Sequence, residues 1–278
     1  MSRIASRFEE LKKDGRAAFV PFITAGDPDA ETTFALLQEL PAAGADLIEL
    51  GVPFSDPMAD GPAVQASSQR AIKAGMTLTK VLELVKRFRK SDAQTPIVLM
   101  GYYNPIHAYG TARFAKDAAV AGVDGLITVD LPPEEDEVLR APASVQGLDI
   151  VRLATPTSTD ARLDTIVDGA SGFLYYVSIA GVTGTKTYSE DDVRAAVARV
   201  KAKAALPVAV GFGIKTPEQA RAIAGLADAA VVGSAIVTKI AESSDAGADR
   251  ERLVKDVLKF CGSLADSVHA ARAAGVLG

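Results

Sequence analysis

The sequence predicts a single closed (β/α)₈ barrel with an extra helix at its N-terminus, and three observations carry that expectation. Eight short β-rich runs recur, each followed by a helical pattern: Ala18–Thr24, Asp46–Gly51, Ile97–Gly101, Gly125–Val129, Asp149–Ala154, Phe173–Ser178, Val208–Gly211 and Ala229–Gly233. Most are apolar on both faces, as from Ile97 to Met100 and from Val208 to Val210, which is the pattern of a parallel sheet covered by helices. No low-complexity linker divides the 278 residues, so the whole chain (1–278) reads as one domain. An open doubly wound sheet is the rival arrangement of the same alternation.

Each helix announces itself through its ends. Residues 1–13 set Ile4, Phe8 and Leu11 among charged side chains, the pattern of an amphipathic helix and not of a signal peptide. Asp27-Pro28-Asp29 and Pro132-Pro133-Glu134-Glu135 mark two helix starts, and Ser189 followed by Asp191 and Asp192 puts acid in a first turn. Thr216-Pro217-Glu218-Gln219 combines an N-cap, Pro at N1 and Gln at N3. Gly44, Gly122 and Gly225 lie where helices should stop. Residues 242–249 read as a polar loop before a last helix carrying Val254, Val257, Leu258 and Cys261.

Composition bounds the function. The chain is 48% hydrophobic, lacks tryptophan and carries a net charge of −5 with scattered basic residues, so a nucleic-acid footprint is not expected. No apolar stretch reaches the length of a membrane span, and a cytoplasmic protein is expected. The lone Cys261 reads as a buried apolar residue. His107, expected on an exposed loop, and His269 are the only histidines, which excludes a three-histidine metal centre; no metal site is expected, although a carboxylate-only magnesium site stays open.

In such a barrel the chemistry sits where strands end and loops begin. Period-two alternation in the second run places Ile48 and Leu50 on one face and Glu49 on the other; with the former toward the helices, Glu49 points into the barrel mouth. A carboxylate there loses hydration, so its pKa rises toward neutrality and it can exchange protons. Between Lys13 and Arg70 the only basic residue is Arg16, which leaves Glu49 without a local ion-pair partner. Asp60 closes a loop stiffened by Pro53, Pro57 and Pro62 and directly precedes a helix; a catalytic carboxylate and an N-cap are both open readings. Asp56 is a further candidate, with a turn role beside Pro57 as its alternative.

Glycines follow the later strands: Gly181 and Gly184 around Thr183, then Gly211 and Gly213, then Gly233 before Ser234. There backbone N–H groups and a helix N-terminus can hold a phosphate. Phe22, Met100, Tyr102, Tyr175 and Phe212 fall near strand ends, where they can wall a pocket for a flat ring or serve as barrel packing. The loop of residues 180–188 has the composition of a lid. A Schiff-base mechanism needs a lysine inside the barrel, and the nearest, Lys215, reads as a surface-loop residue.

The run from Leu47 to Pro62, Leu-Ile-Glu-Leu-Gly-Val-Pro-Phe-Ser-Asp-Pro-Met-Ala-Asp-Gly-Pro, resembles the signature of the tryptophan synthase α-subunit family. Pro21 to Pro28, Met100 to Pro105, Asp130 to Glu135 and Gly181 to Gly184 agree in order, so the resemblance spans essentially the whole chain. It implies a lyase cleaving indole-3-glycerol phosphate to indole and glyceraldehyde 3-phosphate. Glu49 would move protons and Asp60 would face the indole nitrogen; Gly184, Gly213, Gly233 and Ser234 would hold phosphate. Phe22, Met100, Tyr102, Tyr175, Thr183 and Phe212 would surround the indole and glycerol. It also implies a β subunit in an α₂β₂ complex, contacted through residues 53–60, 102–109 and 130–135, with pyridoxal phosphate on that partner and no cofactor on this chain. Ile179 and Met100 depart from members carrying Arg and Leu there. A sugar-phosphate isomerase and a subunit kept mainly to activate its partner are the rival functions.

Overall fold

The computed structural model describes residues 2–177, 190–211 and 213–272. Among them nine strands, all paired in parallel, form one sheet: β1 (Ala18–Thr24), β2 (Ile48–Gly51), β3 (Ile97–Gly101), β4 (Gly125–Thr128), β5 (Asp149–Ile150), β6 (Arg152–Ala154), β7 (Leu174–Val177), β8 (Val208–Gly211) and β9 (Ala229–Val232). Their order, β5-β4-β3-β2-β1-β9-β8-β7-β6, begins and ends on two pieces of one predicted strand, which wraps the sheet into the expected barrel. The helices are α1 (Arg3–Lys13), α2 (Ala30–Glu39), α3 (Pro62–Lys73), α4 (Leu78–Phe88), α5 (Tyr103–Tyr109), α6 (Thr111–Ala121), α7 (Glu137–Val145), α8 (Asp160–Val167), α9 (Glu190–Lys203), α10 (Pro217–Ala224), α11 (Ser234–Asp245) and α12 (Arg250–His269).

The strands are apolar on both faces because each face meets a different core. Phe19, Ile23, Ile48, Leu50, Ile97 and Leu99 pack outward against the helices. Val20, Leu47, Val98, Ile127, Val151, Tyr175, Ala209 and Val231 fill the barrel. Helix α1 plugs the barrel's lower end with Ile4, Phe8 and Leu11, and Phe8 meets Phe173 with ring centroids 5.8 Å apart. Buried Asp46 anchors that end: it accepts the Phe19 N–H and is bonded by Arg7, Arg16 and His269.

Several boundaries differ from the sequence reading. β2 begins at Ile48, since Asp46 is turned toward these partners. Residues 132–135 form a turn, and α7 starts only at Glu137. Helix α11 runs on to Asp245, so the first half of the expected polar loop, residues 242–245, is helical. His107 lies on α5, exposed and 5.7 Å from the Tyr103 ring, instead of on a loop. Asp29 caps α2, Thr216 and Gln219 form the capping box, and Cys261 is buried, as expected. Ser189 and Ile179 lie outside the described residues.

The main correction concerns the fifth strand. Asp149 and Val151 bond back to β4, but from Arg152 onward the strand pairs only with β7. The change falls beside the Arg152 side chain, seated between α7 and α8. Its guanidinium bonds the Asp136 carboxylate (2.6 Å to Nη2) and the last carbonyls of α8, those of Thr165 (3.0 Å) and Ile166 (3.2 Å). Because Arg152 neutralises a buried acid and satisfies helix-end carbonyls together, Arg152→Met is expected to cost about 3–5 kcal/mol of stability. Urea denaturation checks this; a loss under about 1 kcal/mol, the range of exposed pairs, counts against it.

Candidate active site

Glu49 and Leu47 share the inward face of β2, while Ile48 and Leu50 face the helices, as alternation requires. Phe22 of β1 and Val98 of β3 flank Glu49 in register. The side chain is 2% exposed, and its Oε1 is the one fully buried side-chain polar atom without a partner among the described residues. Desolvation, reinforced by the charge of Asp60, raises its pKa from 4.5 to about 8. Such a group holds its proton at neutral pH and releases it at small cost, which suits proton transfer.

Asp60 closes the β2–α3 loop. The two open readings of this residue are separated by the cap geometry: Gly61, not Asp60, is the N-cap of α3, with no side-chain cap bond. The Asp60 main chain is tied instead by Gln65, whose Nε2 donates to its carbonyl at 2.8 Å, and its Oδ2 accepts the Tyr102 hydroxyl at 3.1 Å. Burial raises the Asp60 pKa, and the Tyr102 hydrogen bond opposes that rise. Asp56 is exposed and accepts the Ser55 hydroxyl at 2.6 Å, a turn role.

Phe22, Met100 and Tyr102 line a recess at the barrel mouth together with Thr24, Asp60, Val64 and Val129. Tyr175 lies deeper; burial, then the charges of Glu49 and Asp60, push its hydroxyl pKa well up. Two strand-end glycines seat these rings. A Cβ on Gly51 would come within 2.6 Å of the Phe22 ring, and one on Gly211 within 2.4 Å of the Tyr175 hydroxyl. On the phosphate side, Gly213 is exposed with φ +62° and Gly233 caps α11, which starts at Ser234 and leaves first-turn N–H groups for an anion. Thr183, Gly184 and Phe212 lie outside the described residues.

The sequence reading missed Val129, which alternation with Ile127 inside the fourth run could have placed, and the glycine seats, legible only once rings and strand ends meet in space. A wider cleft than this recess lies elsewhere. It has a volume of about 480 Å³ and opens at the parting of β4 and β6, where Asp136, Arg140, Arg152 and Arg162 line it. Those arginines are paired with Asp136, Glu137 and Glu134, so the cleft's cations are already neutralised.

A parallel barrel whose mouth holds a buried carboxylate unpaired among the described residues, a second carboxylate, an aromatic wall and a helix N-terminus has the make-up of an enzyme suited to acid–base chemistry. The comparisons make the class particular. The model of the family described as tryptophan synthase alpha chain matches residues 8–269, and the chain belongs to that family. It is 57% identical to the tryptophan synthase alpha chain of Gluconacetobacter diazotrophicus over 98% of this chain and 100% of that one. Among solved structures it resembles tryptophan synthase subunit alpha from Legionella pneumophila (41% identity, TM-score 0.90, covering 96% of this chain and 98% of that one). It also resembles tryptophan synthase from M. tuberculosis (34% identity, TM-score 0.86, covering 97% and 99%). The chain is a lyase of tryptophan biosynthesis, and its reaction is the cleavage of indole-3-glycerol phosphate to indole and glyceraldehyde 3-phosphate.

Proposed function

We propose that Glu49 carries the proton transfers of this cleavage and that Asp60 stabilises the charge that develops on the ring. One observation carries the reading: a carboxyl group fully buried at the barrel mouth with no cation and no hydrogen-bond partner on Oε1 among the described residues. Protonated Glu49 gives its proton to indole C3, and the ring nitrogen becomes cationic opposite the Asp60 carboxylate. The Glu49 carboxylate then takes the proton of the hydroxyl on the carbon attached to C3. The O–H electrons form the aldehyde C=O, the C–C bond breaks, and its electron pair returns to the ring, restoring neutral indole. Phe22, Met100, Tyr102 and Tyr175 hold the ring. Gly213, Gly233 and Ser234 hold the phosphate, with Gly184, Thr183 and Phe212 assigned to the same tasks on the family pattern alone. Lys215 is exposed beyond β8, outside any Schiff-base role.

The pH dependence follows from the two carboxyl groups. Glu49 must start protonated, so kcat/KM should fall as pH rises through about 8. Asp60 must be charged, so the acid limb should lie above the ordinary aspartate range, in the direction burial shifts it. A rate profile from about pH 5 to 10 measures both limbs; an alkaline limb absent up to pH 10 counts against protonated Glu49. The direct test is indole release from indole-3-glycerol phosphate by the purified chain, with and without a β subunit.

The reading includes a β subunit in an α₂β₂ complex that holds pyridoxal phosphate. Its contacts would come from residues 53–60, 102–109 and 130–135, which include Met58, 77% exposed on the loop that ends at Asp60. A cytoplasmic location fits this chemistry, and no helix among the described residues is long and apolar enough to cross a membrane.

A further inference from the structure

Tyr102 was assigned above to the ring-binding wall, a task for its six-membered face. Its hydroxyl does something that a wall does not need. The residue follows β3 directly and is 3% exposed, its ring braced by Phe54 at 5.1 Å between centroids. The oxygen accepts the backbone N–H of Ala59 at 2.9 Å and lies 3.1 Å from Asp60 Oδ2. A backbone N–H can only donate, so the oxygen is the acceptor there, and a phenol has one proton to give. That proton is directed to Asp60 Oδ2. Oδ1 has no protein donor among the described residues and is left for the substrate.

We infer that Tyr102 is the positioning residue of Asp60: its hydroxyl locks the end of the β2–α3 loop to the rigid end of β3 and aims the carboxylate at the ring nitrogen. The inference rests on the role proposed for Asp60 and deepens it. The lock joins two elements distant in sequence, and its removal frees both the Ala59 N–H and one carboxylate oxygen. Ionisable neighbours make the hydroxyl matter more. Glu49 and Tyr175 face Asp60 from inside the barrel, Asp130 acts on Tyr102 from beyond β4, and no cation is bonded to Asp60 among the described residues. The hydroxyl is thus the group that favours the charged form of Asp60.

The test is Tyr102→Phe in the full chain, assayed for indole release across pH with Asp60→Asn alongside. The expected result is a kcat lowered about 10- to 100-fold, with KM within about twofold because the ring remains. The acid limb should move to higher pH, and Tyr102→Phe should add little to Asp60→Asn. Unchanged kcat and acid limb, or a rise in KM alone, would overturn the inference; if Asp60→Asn is then still impaired, the proposed function stands without it. Normal turnover by Asp60→Asn would remove both. Should Tyr102→Phe fail to fold, 3-fluorotyrosine at position 102 keeps the shape and makes the hydroxyl a stronger donor. The acid limb must then move to lower pH, and an unmoved limb overturns the inference.

Discussion

Glu49→Gln is expected to lower indole release by about 10³- to 10⁴-fold, the upper range for loss of a proton-transfer group, because one carboxyl serves both transfers. The same substitution should stabilise the fold. In the native protein the Glu49 pKa lies above its unfolded value, so the carboxyl contributes favourably only at low pH, and that contribution is lost as pH rises from 4.5 to about 8. Each pH unit in that window is worth about 1.4 kcal/mol. Glutamine cannot ionise, so the variant should match the parent near pH 4.5 and exceed it increasingly up to pH 8. Paired denaturation curves at several pH values measure the difference. A gap that does not grow with pH, or turnover within tenfold of the parent, refutes the buried, unpaired acid.

Asp60→Asn should lower kcat by about 10²- to 10³-fold, the loss seen when one preorganised electrostatic partner of a transition state is removed. KM should change much less, since the interaction grows only as the ring becomes cationic. Asparagine keeps an acceptor for the Tyr102 hydroxyl and fits the same space, so stability should shift little. Steady-state kinetics at fixed pH separate the cases; a large KM effect with kcat preserved would make Asp60 a ground-state binding residue.

Much of this was legible before any coordinates. Period-two alternation around Ile48 and Leu50 was enough to turn Glu49 inward, because a strand has only two faces and the helices claim one. The dearth of basic residues between Lys13 and Arg70 agrees with its having no ion-pair partner among the described residues. Asp60 was ambiguous for a physical reason: an acid before a helix fits both a cap and a catalytic post. The position of Gly61 removes the cap, and the Tyr102 hydroxyl, which no local pattern announces, is what the carboxylate meets instead. The fifth strand misled because Asp149–Ala154 is locally continuous. Its break falls beside Arg152, whose partners, Asp136 and the end of α8, lie on other elements and leave no mark in the strand's own pattern. Turn chemistry misled once, where paired prolines at 132–133 began a turn and the helix waited until Glu137.

The divided fifth strand also decides where the molecule breathes. β1 is laced to β2 on one side and β9 on the other, whereas β4 and β6 share no ladder, so the ring has a single thin weld near Val151. Amide protons of Thr128 and Leu153, which face the parting, should exchange with solvent well before those of Phe22 and Glu49. Thermal loosening is thereby steered past β3 and β4 to the fifth stave, and the staves around the acid keep still while that arc gives.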